Sequence, residues 1–537
     1  MLNKAVSAAL IIPCVLLITL LAGCGSTEDA EDNSGSIVLS SNKPGVRLDP
    51  HLDVQWEVLY ILSAVYETLV YQDADGNTVA GLATDWKVAD DGKSYTFHLR
   101  NDVTFHDGSP FNAAAVKFNF ERILSLGPRS LKARSLLPNI AAIEILDEYS
   151  LEVRLNEPNG FFLFGLSLPY LGMVSPTAVR KWGDEYHQHQ SGTGPFMFED
   201  YLVGDRFTLV RNPEYDWAPA IYNHDGPAYL EKITWHFLAE PSTRAPALLA
   251  GDVDVAFDLL PTDAQYVTNT TAHTVSIANL TGQPAFWYLN TQLAPTDDIR
   301  VRQAILHGAD MQAAVNAIKR GFNRVAHGPL SSVTPEYSSD LEGMYPYDPN
   351  RAISLLERAG WLDNDGDGIR DKGGKPLVIL MSMVNWGQSK AFSELLYSQL
   401  KSIGIELQIE MMDYGVQVEA GQRGRKNMLF MGGSGYSAFD TLKPFFHSDN
   451  TENGFAWAKY QDPKLDKLLD DAVLLTDDAP RREELYEQAQ KLIMEEALIL
   501  PIYDYALLIG VNPRVKGLGW RSVGLVPTFY EMYLEGP

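Results

Sequence analysis

The sequence predicts a mixed α/β protein in which strands and helices alternate along the chain. Three observations carry that prediction. Apolar residues alternate with polar ones in short runs (Tyr95, Phe97, Leu99; Leu151, Val153, Leu155; Ile233, Trp235, Phe237), the period of half-buried strands. Between them lie stretches with apolar residues one helical turn apart, opened by Asn or Asp-Pro and closed by Gly. No internal repeat is found, and the two kinds of element are interspersed rather than segregated.

At the N-terminus, residues 1–24 read MLNKAVSAALIIPCVLLITLLAGC, with Lys4 ahead of an uncharged stretch from Ala5 to Ala22. That is the layout of a secretory signal. A stretch that long could also just span a bilayer. Against a spanning helix, Pro13 sits mid-segment and an acidic run follows. Leu21-Ala22-Gly23-Cys24 has the form of a bacterial lipobox, so residues 1–23 are expected to be removed and Cys24 lipidated. Two acyl chains on Cys24 suffice for stable anchoring. Residues 24–36 would be a solvated tether. Cleavage removes Cys14, the other of the two cysteines, and leaves no intramolecular disulfide.

Further on, Asn112 can cap a helix whose Val116, Phe120 and Leu124 share a face. Asp348-Pro349 opens a helix that buries Ala352, Leu355, Leu356 and Ala359 and stops at Gly360. A third helix spans 389–404 and feeds a strand alternating Ile405, Leu407, Ile409 and Met411. Helices over 463–475 and 480–496 lead into an apolar strand over 499–503.

The 537 residues are 45% hydrophobic and 21% charged, ordinary for a globular chain. A formal charge of −26 argues against nucleic-acid binding, and 25 Tyr, 22 Phe and 10 Trp argue against disorder. Catalytic motifs are scarce. Ser40-Ser41-Asn42-Lys43 and Ser448-Asp449-Asn450 match two elements of a penicillin-recognising site, but K-T-G is absent and Pro44-Gly45 forbid the helix such a serine must start. His187 and His189 make half a metal shell, and His447 stands alone. Asp363, Asp365 and Asp367 begin a calcium loop whose closing Glu is replaced by Gly374, so no calcium requirement is expected. The reading is no catalytic residue, no metal and no cofactor. Aromatics gather where loops are expected: Phe286-Trp287-Tyr288, Trp386, Tyr436 and Trp457. Such rings are either core or the lining of a cleft.

A series of segments, in order, resembles the family 5 extracellular solute-binding proteins of bacterial ABC importers, the oligopeptide, dipeptide and nickel-type group. They are Leu48-Asp49-Pro50-His51 with 65–70, Gly81-Leu82-Ala83-Thr84-Asp85-Trp86, and DGKSYTFHLRNDVTFHDGSPFNAAAVKFNFERIL over 91–124. Next come Ser191-Gly192-Thr193-Gly194-Pro195-Phe196, 209–215, Tyr288-Leu289-Asn290-Thr291 and 299–305. YDPNRAISLLERAGW over 347–361 and YQDPKLDKLLDDA over 460–472 complete the set.

The resemblance implies an α/β fold of two lobes that close by a hinge over a central cleft, with an extra domain on one lobe. Lobe I would hold 37–71, 191–292 and 506–537, the extra domain 72–190, and lobe II 293–505. It also implies capture of a small solute, a short peptide by family base rate, for the transmembrane subunits of an ABC permease. Metal chelates, oligosaccharides and amino-acid conjugates are the other ligand classes; a secreted hydrolase or a surface chaperone is the competing kind of protein. Peptide-binding relatives pair the ligand's amino group with an Asp in the window matching 432–440, where this chain offers only Asp440 and has Gly435 at the anchoring position. Nickel-type relatives use Trp and His around this loop; here His447 is near, without a Trp over 432–446. The expected ligand contacts are Trp386, Tyr436, Asp440 and Trp457. The protein is expected to be a monomer on the periplasmic or extracellular face of the envelope, held to the membrane by its lipid.

Overall fold

Two large sheets with separate hydrophobic cores divide the chain. The computed structural model describes residues 35–42, 47–53, 55–433, 435–476, 478–522 and 526–535. The expected signal segment, Cys24, nearly all of the expected tether and Lys43-Pro44-Gly45 lie outside them.

The first sheet orders seven strands as Thr274–Asn279, Ala506–Val511, Val255–Ala256, Ser36–Ser41, Lys232–Phe237, Arg206–Arg211 and Phe196–Leu202. Ser36–Ser41 runs parallel to both Lys232–Phe237 and Val255–Ala256; the remaining pairs are antiparallel. The second sheet orders Glu406–Met411, Val378–Met383, Met428–Met431, Ala285–Leu289 and Ile499–Tyr503, the first three parallel. A third, antiparallel sheet of four strands, Ala83–Val88, Ser94–Leu99, Ser150–Leu155 and Ile140–Asp147, carries the helix Ala113–Leu126. Its core is continuous with that of the first sheet.

Local chemistry explains the boundaries. Asn112 Oδ1 accepts the Ala115 N–H at 3.1 Å, and Asp348 Oδ1 that of Arg351 at 2.9 Å, so both helices start at a satisfied cap. Phe286-Trp287-Tyr288 departs from the sequence reading. These residues form the fourth of the five strands of the second sheet, flanked on both sides and buried throughout. A strand covered on both faces has no polar alternation to display. Two expected boundaries also differ. The chain enters the second lobe at 280–284 rather than after 292, and Ser36 belongs to a strand rather than to the tether.

The four-stranded unit is locked to the first lobe by buried polar groups. Arg122 of the helix Ala113–Leu126 meets Asp49 at 2.6 Å. His51 lies beside that guanidinium and bonds the Gly172 carbonyl at 3.0 Å; burial, reinforced by Arg122, pushes its pKa down to about 3 and keeps it neutral. Within the first lobe itself, Glu67 accepts from Tyr215 Oη at 2.7 Å, Trp217 Nε1 at 2.8 Å and Thr193 Oγ1 at 2.9 Å. Gly192 and Gly194 are required here by close approach rather than by backbone angle. A Cβ at 192 would stand 2.1 Å from the Val65 carbonyl oxygen, and one at 194 would stand 2.7 Å from that of Ala64.

Candidate functional site

Two connections, 280–284 and 504–505, join the lobes and run side by side, with Leu280 N–H donating to Tyr505 O at 2.9 Å. On the first sheet they leave the edge where Ser36–Ser41 and Val255–Ala256 end, since Ser40 pairs with Ala256 and Asn279 with Ala506. On the second they enter the edge where the three parallel strands end: Met383 pairs with Met411, Phe286 with Met431, and Ala285 with Tyr503. The carboxyl ends of the parallel strands of both lobes therefore border one gap, the usual place for a ligand in open α/β sheets.

The turn after Met431 brings Tyr436 to that gap. Asp440 shapes the turn: its Oδ1 accepts the N–H groups of Tyr436 at 2.9 Å and Ser437 at 2.8 Å, closing a capping box on the helix Ala438–Phe446. Gly282 lies against it with φ +81°; a Cβ there would stand 2.4 Å from the Gly435 carbonyl oxygen. Tyr436 packs on the core of the first lobe, and its Oη is 3.2 Å from that of Tyr170. Lys132 Nζ reaches Asp440 Oδ2 at 3.5 Å, and Phe161 stacks on Phe439 with ring centroids 3.9 Å apart. Lys132, Phe161 and Tyr170 all belong to the segment that carries the four-stranded sheet, so this segment contacts the second lobe directly.

Charges of opposite sign border the gap. On the first lobe, burial pushes Glu57 up to about 7, and Asp258 and Asp53 act in the same direction. Asp258 has a left-handed φ of 56°, and its Oδ2 accepts from Arg244 at 2.9 Å. On the second lobe, burial pushes Lys319 down to about 8, opposed by Asp258. Tyr60 stacked on Phe257, and Tyr503 against Tyr505, back this edge from within the two cores.

Of the four expected contacts, Tyr436 and Asp440 lie where the lobes meet. Trp386 follows Val378–Met383 at the gap edge, 40% exposed, with its ring 5.0 Å from that of Tyr414. Trp457 requires correction. Its ring is fully buried in the core of the second lobe, against Gly421 and Tyr288, with Nε1 bonded to Gly454 O at 3.0 Å, so it cannot line a cleft. Sequence reasoning missed Glu57, Lys132, Tyr170 and Lys319. Their only local signal is a charge or ring on an otherwise ordinary helix or loop.

The remaining motifs are structural. His189 stacks on Trp182, and His187 Nδ1 bonds the Asp184 carbonyl. Ser448 is tied to Asp466, in a different lobe from Ser40. Among the described residues the one group of three or more metal-ligating side chains is Asp363, Asp365 and Asp367. These are exposed on a turn before the amino end of Val378–Met383, at the sheet edge away from the gap. A cavity of about 610 Å³, lined by Asn290, Glu419, Arg423 and Lys459, also lies at that far edge. The gap is therefore located by the strand ends and not by cavity size.

Two lobes joined by two adjacent connections, facing each other across a gap of rings and charges, define a protein that closes over a small solute. The family described as bacterial extracellular solute-binding proteins, family 5 Middle, matches residues 77–453, and the chain belongs to this family, the binding components of ABC importers. The nickel-binding periplasmic protein of Escherichia coli (strain K12) is 29% identical over 498 residues, covering 89% of this chain and 90% of that one. The glutathione-binding protein GsiB of Salmonella choleraesuis (strain SC-B67) is 30% identical over 468 residues, covering 85% and 86%. The crystal structure of NikA from Brucella suis in complex with Fe(III)-EDTA superposes with a TM-score of 0.84 at 26% identity, covering 93% of this chain and all of that one. No helix of the described residues is long and apolar enough to cross a membrane.

Proposed function

We propose that this protein captures a short peptide, or a peptide-like solute with charges of both signs, and delivers it to its permease as a monomer anchored by a lipid on Cys24. The observation that carries the ligand reading is the opposition across the gap: Glu57 and Asp258 on one lobe, and on the other Lys319, set over the Tyr503 ring. A buried charge is costly unless paired, so a solute that enters this space must answer both signs. Glycines at 432 and 435 let the turn pack closely on Ala285 and Thr441, and Trp386 and Tyr436 supply rings for the side chains of a bound chain. Glutathione, named for one relative, is such a peptide.

A carboxylate chelate of a metal is the second reading, favoured by the nickel-binding relative. The metal-ligating triad among the described residues is remote from the gap, so the chelator would bring its own ligands.

The test is the melting temperature of the mature chain with tri-alanine, glutathione, nickel–histidine or maltotriose. At one hundred times Kd, a ligand adds about 2.7 kcal/mol. Stabilisation by tri-alanine or glutathione is the expected result. Stabilisation by maltotriose alone, or by none of the four, rejects the peptide reading.

A further inference from the structure

The last carbonyls of a helix have no donor within the helix and must find one elsewhere. In the second lobe the helix Pro463–Leu474 finds one outside its own lobe. Gly160 N–H donates to Val473 O at 2.9 Å, and Gly160 lies in the loop that follows Ser150–Leu155 of the four-stranded sheet. Leu475 O is held by Arg482 Nη1 at 3.0 Å. Gly160 packs so closely on it that a Cβ at 160 would stand 2.0 Å from that oxygen. The loop is shaped by its own unit: Tyr95 Oη donates to Asn159 O at 3.1 Å, and Asn159 Oδ1 accepts the Phe161 N–H at 2.9 Å.

Next to this bond Phe161 stacks on Phe439, a ring that packs on the cores of both lobes. The turn at Gly92 reaches the same place, where a Cβ would stand 3.2 Å from the Thr476 side chain. These groups touch one another directly and leave no room for a solute between them. They join the lobes at a point separate from the connections 280–284 and 504–505. Each contact is modest, because water takes over the hydrogen bond when the lobes part. An attachment of this strength is reversible, and it biases the opening equilibrium rather than locking it.

We propose that the four-stranded unit is a latch: its loop 158–161 engages the end of the helix Pro463–Leu474 and holds the lobes closed in the solute-free chain. Part of the free energy of closure then comes from the chain itself. A solute that needs the closed arrangement is held more tightly by the factor by which the latch raises its population, whatever the solute's chemistry. The inference goes beyond the ligand reading above, since none of Gly160, Phe161 and Phe439 is an expected ligand contact.

The test is amide hydrogen exchange of the mature chain, freed of bound solute by partial unfolding and dialysis. The Gly160 N–H has its acceptor on the other lobe, so its protection reports the latch directly. In the native chain it should exchange at least about tenfold more slowly than in a free peptide, and Phe439→Ala should restore about tenfold of that rate. Gly160→Ala, whose Cβ forbids the close approach, and Phe439→Ala, which removes a half-buried ring, should each weaken binding by about tenfold. For each variant the factor should be the same for every probe that stabilises the native chain. Where Gly160→Ala fails to fold, Phe439→Ala and the native amide still decide. Free-peptide exchange at Gly160 in the native solute-free chain overturns the proposal. So does unchanged affinity in the folded variants, or a loss that differs from probe to probe, the signature of a solute contact. The amide is read without solute, so failure of every probe to bind counts against the ligand reading alone, and the amide then decides the latch.

Discussion

Replacing Trp457 by alanine and, separately, Trp386 by alanine separates a core ring from a gap ring. The two look alike in sequence, each a tryptophan near glycines. In the structure Trp457 has no exposed surface; it lies directly on Gly421 and packs against Tyr288 and Phe455 with centroids 5.8 Å away. Truncating such a ring costs about 3–5 kcal/mol, because transfer energy is lost and the cavity closes only in part. At roughly 2–4 °C per kcal/mol, the second lobe should melt roughly 6–20 °C lower. Trp386 is 40% exposed and touches chiefly Tyr414, so its removal should cost about 1 kcal/mol of stability or less. Its loss should instead weaken solute binding by about 1–3 kcal/mol, as for an aromatic anchor of a binding surface. Thermal melts and titration with the stabilising probe read both quantities. An unchanged melt for Trp457→Ala, or a sharply lowered melt with intact affinity for Trp386→Ala, refutes the assignment.

Gly282→Ala forces a side chain into a left-handed position and onto the Gly435 carbonyl, a cost of about 1–2 kcal/mol before any clash. It should displace the Tyr436 turn and weaken solute binding, and unchanged affinity would show that the turn does not shape the site. The pH dependence follows from Glu67, which burial raises to about 7 despite its three donors. An acid whose folded pKa lies above its unfolded value of 4.5 stabilises the fold below that value, and the contribution is lost as pH rises toward 7. The contribution of this group, about 3 kcal/mol, should therefore be lost between about pH 5 and pH 7.5, against the opposite slope of the buried neutral His51, and Glu67→Gln should remove it; a pH profile unaltered by the substitution contradicts the assignment. Cys24→Ser should move the protein from the membrane fraction to the soluble one with its melting temperature intact. Continued sedimentation with membranes would instead mark residues 5–22 as a retained anchor.

Much of the scaffold was legible because its signals are local. The caps at Asn112 and Asp348 need only a side chain and the N–H three residues on, and strands exposed on one face write their alternation into the sequence. Phe286-Trp287-Tyr288 was not legible as a strand, since burial on both faces removes the polar half of the pattern. The site was legible only in part. Tyr436 stands out beside its glycines, whereas Lys132 and Tyr170 reach it from a segment roughly three hundred residues earlier, a juxtaposition that the fold alone creates. Asp440 shows that proximity and role can differ: most of its hydrogen-bonding capacity is committed to its own turn and to Lys132. Lys319 was hidden by resembling any helix-ending lysine.

Native mass spectrometry of the freshly purified mature chain tests the central claim most directly, that two lobes close over one small solute carrying charges of both signs. The account predicts a one-to-one adduct, released by mild unfolding, whose mass and fragmentation identify a peptide or peptide-like molecule with a free carboxylate. A neutral saccharide as the adduct, or a bare chain that none of the peptide probes then stabilises, would contradict it.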